Sequence, residues 1–319
     1  MIENLLDPVI LFFAMGLLAG LLKSDLRLPE AIYEVISIFL LMAIGLKGGV
    51  QLAKTNIALI LLPVGVTVLL GLSIPLIAYP ILRKLGKFNE ADSAAIAAHY
   101  GSVSAVTFAV VQTYLERLLV AYEEYVTVLL VVLEIPAIAM GILIARMKTR
   151  KHTIDYGLLF HEVFLGKSIY LLIAGLLVGW AAGPERIEPV APLFFDLFKA
   201  ALAFFLLEMG LVAARRISDL RRVGLFLIGF GILMPIVSAV IGTLFGYLAG
   251  LSLGGSVVLA TLSASASYIA APAAMRIAVP QANPTLYLTA SLGITFPFNL
   301  LFGIPLYHWM GAILYSMGG

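Results

Sequence analysis

The chain has no cysteine among its 319 residues, and only 12% of them are charged. The missing thiols exclude a disulfide scaffold, thiolate catalysis and Cys-ligated zinc or iron–sulfur centres. The scarce charge excludes more. A soluble domain carries about 25% charged and about 45 to 50% apolar residues, whereas here 62% are hydrophobic. With a mean hydropathy of +1.07, no water-facing shell can be built, and an all-α integral membrane protein is expected. The net charge of +2 is too weak to attract nucleic acid. No HExxH, P-loop, nucleophile elbow or dinucleotide fingerprint stands in its required context, so enzyme chemistry has no foothold.

What is present is long apolar runs. Stretches bounded by charge or turn signals predict ten spans, near 8–22, 30–46, 57–81, 92–114, 124–145, 164–181, 190–213, 224–248, 254–276 and 284–315. Met1 to Asp7 carries Glu3 and Asp7 but no Lys or Arg, which does not fit a signal peptide. If successive loops alternate across the bilayer, Lys and Arg divide 15 to 4, with Lys199 inside a span. The positive-inside rule then places the 146–167 loop in the cytoplasm and both termini outside.

The 29 glycines carry a second pattern. Gly16-Leu17-Leu18-Ala19-Gly20 recurs as Gly175-Leu176-Leu177-Val178-Gly179 at an offset of 159. Pro29 matches Pro192, Gly48 matches Gly210, Gly101 matches Ser263 and Pro136 matches Pro297, at offsets of 161 to 163. Five spans per copy is odd, so the second copy must enter the membrane from the other side. The expected organisation is a 5+5 inverted repeat: residues 1–147, a cytoplasmic linker at 148–163, and residues 164–319.

The fourth and ninth spans are dense in hydroxyls and small residues at corresponding places. They are the candidate discontinuous helices 4 and 9. Backbone N–H groups of Gly101, Ser102, Val103, Ser104 and Ala105, facing those of Ser265, Ala266, Ser267, Tyr268 and Ile269, form the expected anion site. Hydroxyls of Ser102, Ser104, Thr107, Ser263, Ser265 and Ser267 are the candidate Na⁺ ligands. Close helix packing accounts for the same small residues if no site exists. Among intramembrane ionisable groups, Glu134, His99 and Glu208 are candidates for coupling or for structural hydrogen bonds, and Asp196 with Lys199 reads as a local ion pair.

At these residues the sequence resembles the sodium-dependent bicarbonate transporter family. The resemblance runs through Leu28-Pro29-Glu30-Ala31-Ile32, an Ile44-Gly45-Leu46-Lys47-Gly48-Gly49 turn, Gly101-Ser102-Val103-Ser104 to Thr107, and Ile135-Pro136-Ala137. It continues through Met209-Gly210-Leu211, Arg215 to Val223, and Ala282-Asn283-Pro284 with Tyr287. It implies Na⁺ symport of bicarbonate or a similarly small anion, no cofactor beyond the coupling ion, a homotrimer in the bacterial plasma membrane, and a PII-like cytoplasmic regulator. Where the family's ninth-span pattern has serines followed by Asp, this chain has Ser265-Ala266-Ser267-Tyr268. Proton-coupled transport of another small anion, or a non-transporting receptor for the regulator, are the alternatives.

Overall fold

A computed structural model describes residues 6–148, 156–217 and 219–318. Among these residues there is no strand, and eight helices are long and apolar enough to cross a membrane. Large apolar side chains such as Leu59, Leu61 and Leu62 face outward, while Thr67, Ser93, His99 and Thr261 are fully buried. That inversion of the soluble pattern is what a lipid solvent selects.

Thirteen helical segments run in order: α1 Pro8–Leu21, α2 Glu30–Leu52, α3 Ile57–Pro80, α4 Glu90–Gly101, α5 Ala105–Arg117, α6 Val126–Lys148 and α7 Tyr156–Leu165. They continue with α8 Lys167–Ile187, α9 Phe198–Ile217, α10 Leu220–Leu248, α11 Leu253–Ala264, α12 Ala270–Ala278 and α13 Pro284–Met317. Side-chain caps fix many of the starts. Asp7, Asn56, Asn89, Ser104, Ser252 and Asn283 each accept a hydrogen bond from an N–H in the first turn of the helix that follows. Of the connection expected at 148–163, residues 149–155 lie outside the described set, and the remainder carries α7. Ser218 and residues 1–5, which include Glu3, also lie outside it.

Two helix pairs form the scaffold, and glycine lets each pair close. In α1 and α9, a Cβ on Gly16 would strike the Leu207 carbonyl, and one on Gly210 would strike that of Phe13. In α2 and α8, a Cβ on Gly175 would lie 2.9 Å from the Met42 carbonyl, and one on Gly45 would lie 2.5 Å from that of Leu172. The two interfaces, α1 on α9 and α2 on α8, are thus built alike. They also correct two sequence expectations. Ile44 to Gly49 is not a turn but mid-helix, because Gly45 and Gly49 are needed against α8. The packing counterpart of Gly210 is Gly45 rather than Gly48, which faces Thr127 of α6.

The ends of α4 and α11 are fastened reciprocally. Asp92, in the first turn of α4, accepts from the Asn283 N–H at 2.6 Å, just before α13. Glu123, just before α6, accepts from the N–H of Ser252, the residue whose hydroxyl caps α11.

Candidate functional site

The most buried of the long apolar paths, Glu90–Arg117, is interrupted halfway along its length. Helix α4 ends at Gly101 and α5 restarts at Ala105, with Ser102 to Ser104 between them. The second interruption separates α11 from α12 at Ser265 to Ile269. The incoming helices match closely. Both α4 and α11 have 12 residues, and both are capped by a residue at φ −65°, ψ 170°. Both stop in extended backbone, Ser102 at φ −87°, ψ 179° and Ser265 at φ −81°, ψ 167°.

A serine hydroxyl bonds an N–H in the first turn of each outgoing helix. Ser104 Oγ accepts from the Thr107 N–H at 3.1 Å and from Thr107 Oγ1 at 3.0 Å. Ser267 Oγ accepts from the Ala271 N–H at 3.1 Å. The two breaks are stitched to one another. The Ser104 N–H donates to Ser265 Oγ at 3.0 Å, the Ser267 N–H donates to the His99 carbonyl at 2.9 Å, and Ser104 Oγ donates to Tyr268 OH at 3.2 Å. Two helix N-termini, each worth about half a positive charge, therefore start beside one another with no lysine or arginine among their bonded partners. The C-terminal ends of α4 and α11 arrive at the same place with the opposite polarity, so the centre offers electrostatic purchase to both an anion and a cation.

A small cavity opens at this junction, lined by Val103, Ser104, Ala105, Glu134, Ser168, Ser267, Tyr268 and Ile269. Among the described residues that line it, Glu134 is the only carboxylate, and it is 5% exposed. Ser168 Oγ and Ser102 Oγ are buried without a partner, as is Nε2 of His99. The His99 ring stacks on Tyr287 at 4.3 Å, and its Nδ1 lies 2.6 Å from the Ala95 carbonyl.

Other expected site residues are placed differently. Ser263 Oγ donates to the Leu259 carbonyl of its own helix and packs where a Cβ on Gly242 would lie. Gly101 sits against Pro75 of α3 and Ala137 of α6, so close that any side chain would collide. Ala266 is buried in the core. Glu208 stands away from the breaks, accepting from Arg215 and the Leu28 N–H at 3.4 Å each, on a wide cavity that also carries Arg27 and Tyr33. Lys199 pairs with Glu116 at 3.4 Å rather than with Asp196.

Several supporting residues escaped the sequence reading. Asn299, in a π-turn of α13, donates to the last carbonyl of α11, that of Ala264, at 2.9 Å, and Tyr307 OH donates to Asn299 Oδ1 at 2.7 Å. Tyr100 OH lies 2.7 Å from Thr295 Oγ1, in the other π-turn of α13. Wide turns of this kind recur at functional sites. A lone Asn within the apolar run Phe298 to Gly303 was the available signal.

The arrangement is that of a multi-pass helical membrane protein with a hydroxyl-rich centre enclosed between broken helices. The chain belongs to the Na⁺-dependent bicarbonate transporter superfamily, whose family profile matches residues 8–312. A comparison with curated proteins gives no match.

Proposed function

We propose that this protein is a secondary active transporter that moves bicarbonate or a similarly small anion together with Na⁺ by alternating access. The observation that carries the reading is the pair of helix starts, α5 capped by Ser104 and α12 with its Ala271 N–H held by Ser267, at breaks that are hydrogen-bonded to one another. Two half-charges sum to about one positive unit, which suits a monovalent oxyanion without a buried cation. Bicarbonate is favoured over other small anions by family membership.

In this reading the ten spans form a 5+5 inverted repeat, residues 1–147 and 164–319 joined by a cytoplasmic linker, with α4–α5 and α11–α12 as the discontinuous fourth and ninth spans. The reciprocal glycine interfaces and the matched lengths and caps of α4 and α11 support it. Backbone N–H groups from Gly101 to Ala105 and from Ser265 to Ile269 bind the anion. Hydroxyls of Ser102, Ser104, Thr107, Ser265 and Ser267 serve the anion or Na⁺. Glu134 supplies at the junction the negative charge that Tyr268 cannot, and so is the residue proposed for cation coupling. Both termini face out of a bacterial plasma membrane, following the charge asymmetry. Homotrimer assembly and a PII-like regulator rest on the family alone.

The test is uptake of labelled bicarbonate into proteoliposomes. An inward Na⁺ gradient is expected to drive accumulation, and Ser104→Ala to reduce it about tenfold or more, from a lost cap and two lost hydroxyl bonds. Uptake indifferent to both the gradient and the substitution overturns the reading. A proton gradient that replaces Na⁺, with loss on Glu134→Gln, would move the coupling to protons.

A further inference from the structure

A second polar cluster lies at the end of the bundle where α2 and α5 finish and α9 begins. Glu116 of α5 is shared by two lysines from different elements, Lys47 Nζ at 3.2 Å on Oε1 and Lys199 Nζ at 3.4 Å on Oε2. Tyr122 OH also donates to Oε1, at 3.3 Å. Two cations against one carboxylate leave one net positive charge. The lysine side chains are 46% and 61% exposed, so their remaining N–H groups face water. Lys47, Glu116 and Lys199 line a cavity of about 70 Å³ together with Gln112, Thr113 and Phe195.

This mouth is the top of a series. On α2, Lys47, Ile44 and Leu41 follow one another at three-residue spacing, and on α5 so do Glu116, Thr113, Ala109 and Ala105 at three or four, so each set forms one face. Ile44 lines both the mouth and a second, apolar cavity below it, which Ala109 and Phe205 close. Leu41, Ala105 and Ile269 line that second cavity and also the one at the helix breaks. The second cavity is about 10 Å³, at the limit of what one water needs.

We propose that Lys47 and Lys199 form an anion-recruiting vestibule for a small monovalent oxyanion, and that Ile44, Ala109 and Phe205 form the apolar gate between it and the helix breaks. The assignment rests on the transport reading above, and the proposed orientation places the vestibule outside the cell. A net charge in a cleft with apolar walls focuses the field and raises the local anion concentration. Glu116 tempers that charge and holds both ammonium groups over the cavity.

The effects of the three residues differ in sign, which a packing role does not predict. In the flux assay at low ionic strength, Lys47→Gln with Lys199→Gln is expected to raise half-saturating bicarbonate roughly three- to tenfold at unchanged maximal rate. Glu116→Gln is expected to lower it, and both shifts are expected to shrink as salt is added. A second measurement needs no transport. Because the chain has no cysteine, Thr113→Cys introduces a single reporter in the cavity lining. A negatively charged, membrane-impermeant methanethiosulfonate is expected to react with it faster than a positively charged one, and the rate ratio to fall severalfold when both lysines are replaced. A ratio unmoved by the lysines, or Glu116→Gln acting in the same direction as they do, overturns the vestibule. A ratio that responds while wild-type protein shows no Na⁺-driven flux preserves the anion-attracting mouth and overturns the transport reading.

Discussion

The two helix breaks invite comparison because what leads into them is nearly identical and what leaves them is not. Helices α4 and α11 have equal length, the same cap geometry and the same extended exit. The first break then spans three residues and the second five. Ser104 is itself the N-cap of α5, whereas α12 begins after Ile269, at φ −117°, ψ −61°, with Ser267 reaching forward from inside the break. The extra length carries Tyr268, whose ring leans on Phe296 at 5.3 Å and whose hydroxyl meets Ser104. The helices that lead into the breaks therefore match and the segments that leave them do not. If the two halves are copies, as proposed, the centre is where they diverged.

The two scaffold interfaces extend this comparison and carry the largest prediction. Gly210→Val and Gly45→Val, which force Cβ atoms into the Phe13 and Leu172 carbonyls, are expected to cost about 1–3 kcal/mol or more each and to resemble one another. Thermal unfolding midpoints in detergent check this. A large effect at one site alone breaks the likeness of the two interfaces. Gly65→Ala, where nothing lies within 4 Å, is the control and should be tolerated.

At the centre the paired substitutions should be unequal. Ser104→Ala removes a cap and its bonds to Thr107 and Tyr268, an expected loss of about 2 kcal/mol. Ser267→Ala removes one bond to the Ala271 N–H and leaves its own backbone bond to His99 intact, for about 1 kcal/mol. Equal midpoints for the two variants would argue that the breaks are equivalent after all. Smallest is Tyr268→Phe, which removes a single 3.2 Å hydrogen bond worth about 0.5–1.5 kcal/mol. Its value lies in Tyr268→Asp beside it. If the second break lost a cation ligand at this position, the aspartate should steepen the Na⁺ dependence of uptake while the phenylalanine leaves that dependence unchanged.

Much of this was legible in the sequence, for local reasons. Apolar run length located the helices, and hydroxyl density located both breaks, at Ser102–Ser104 and Ser265–Ile269. Pro272 lies in the first turn of α12, where its missing N–H costs nothing. Pairings across the chain were not legible. Lys199 finds Glu116 rather than Asp196, which lies not on α9 but in the π-turn Pro192–Asp196 before it. Gly48 drew attention as a repeat anchor, yet Gly45 does that packing, and only the facing helix distinguishes them. Asn299 closes the carbonyl end of α11 from 35 residues away, a distance no periodicity reveals.

The reciprocal fastenings at Asp92 with Asn283 and Glu123 with Ser252 bear on the thermodynamics of the whole cycle. They close opposite ends of the bundle with the same chemistry, a carboxylate accepting from a backbone N–H. If the chain works by alternating access, as proposed, the same kind of bond is given up whichever end opens. The net direction of such a carrier follows from the ion and substrate gradients alone, so inverting them is expected to reverse the flux.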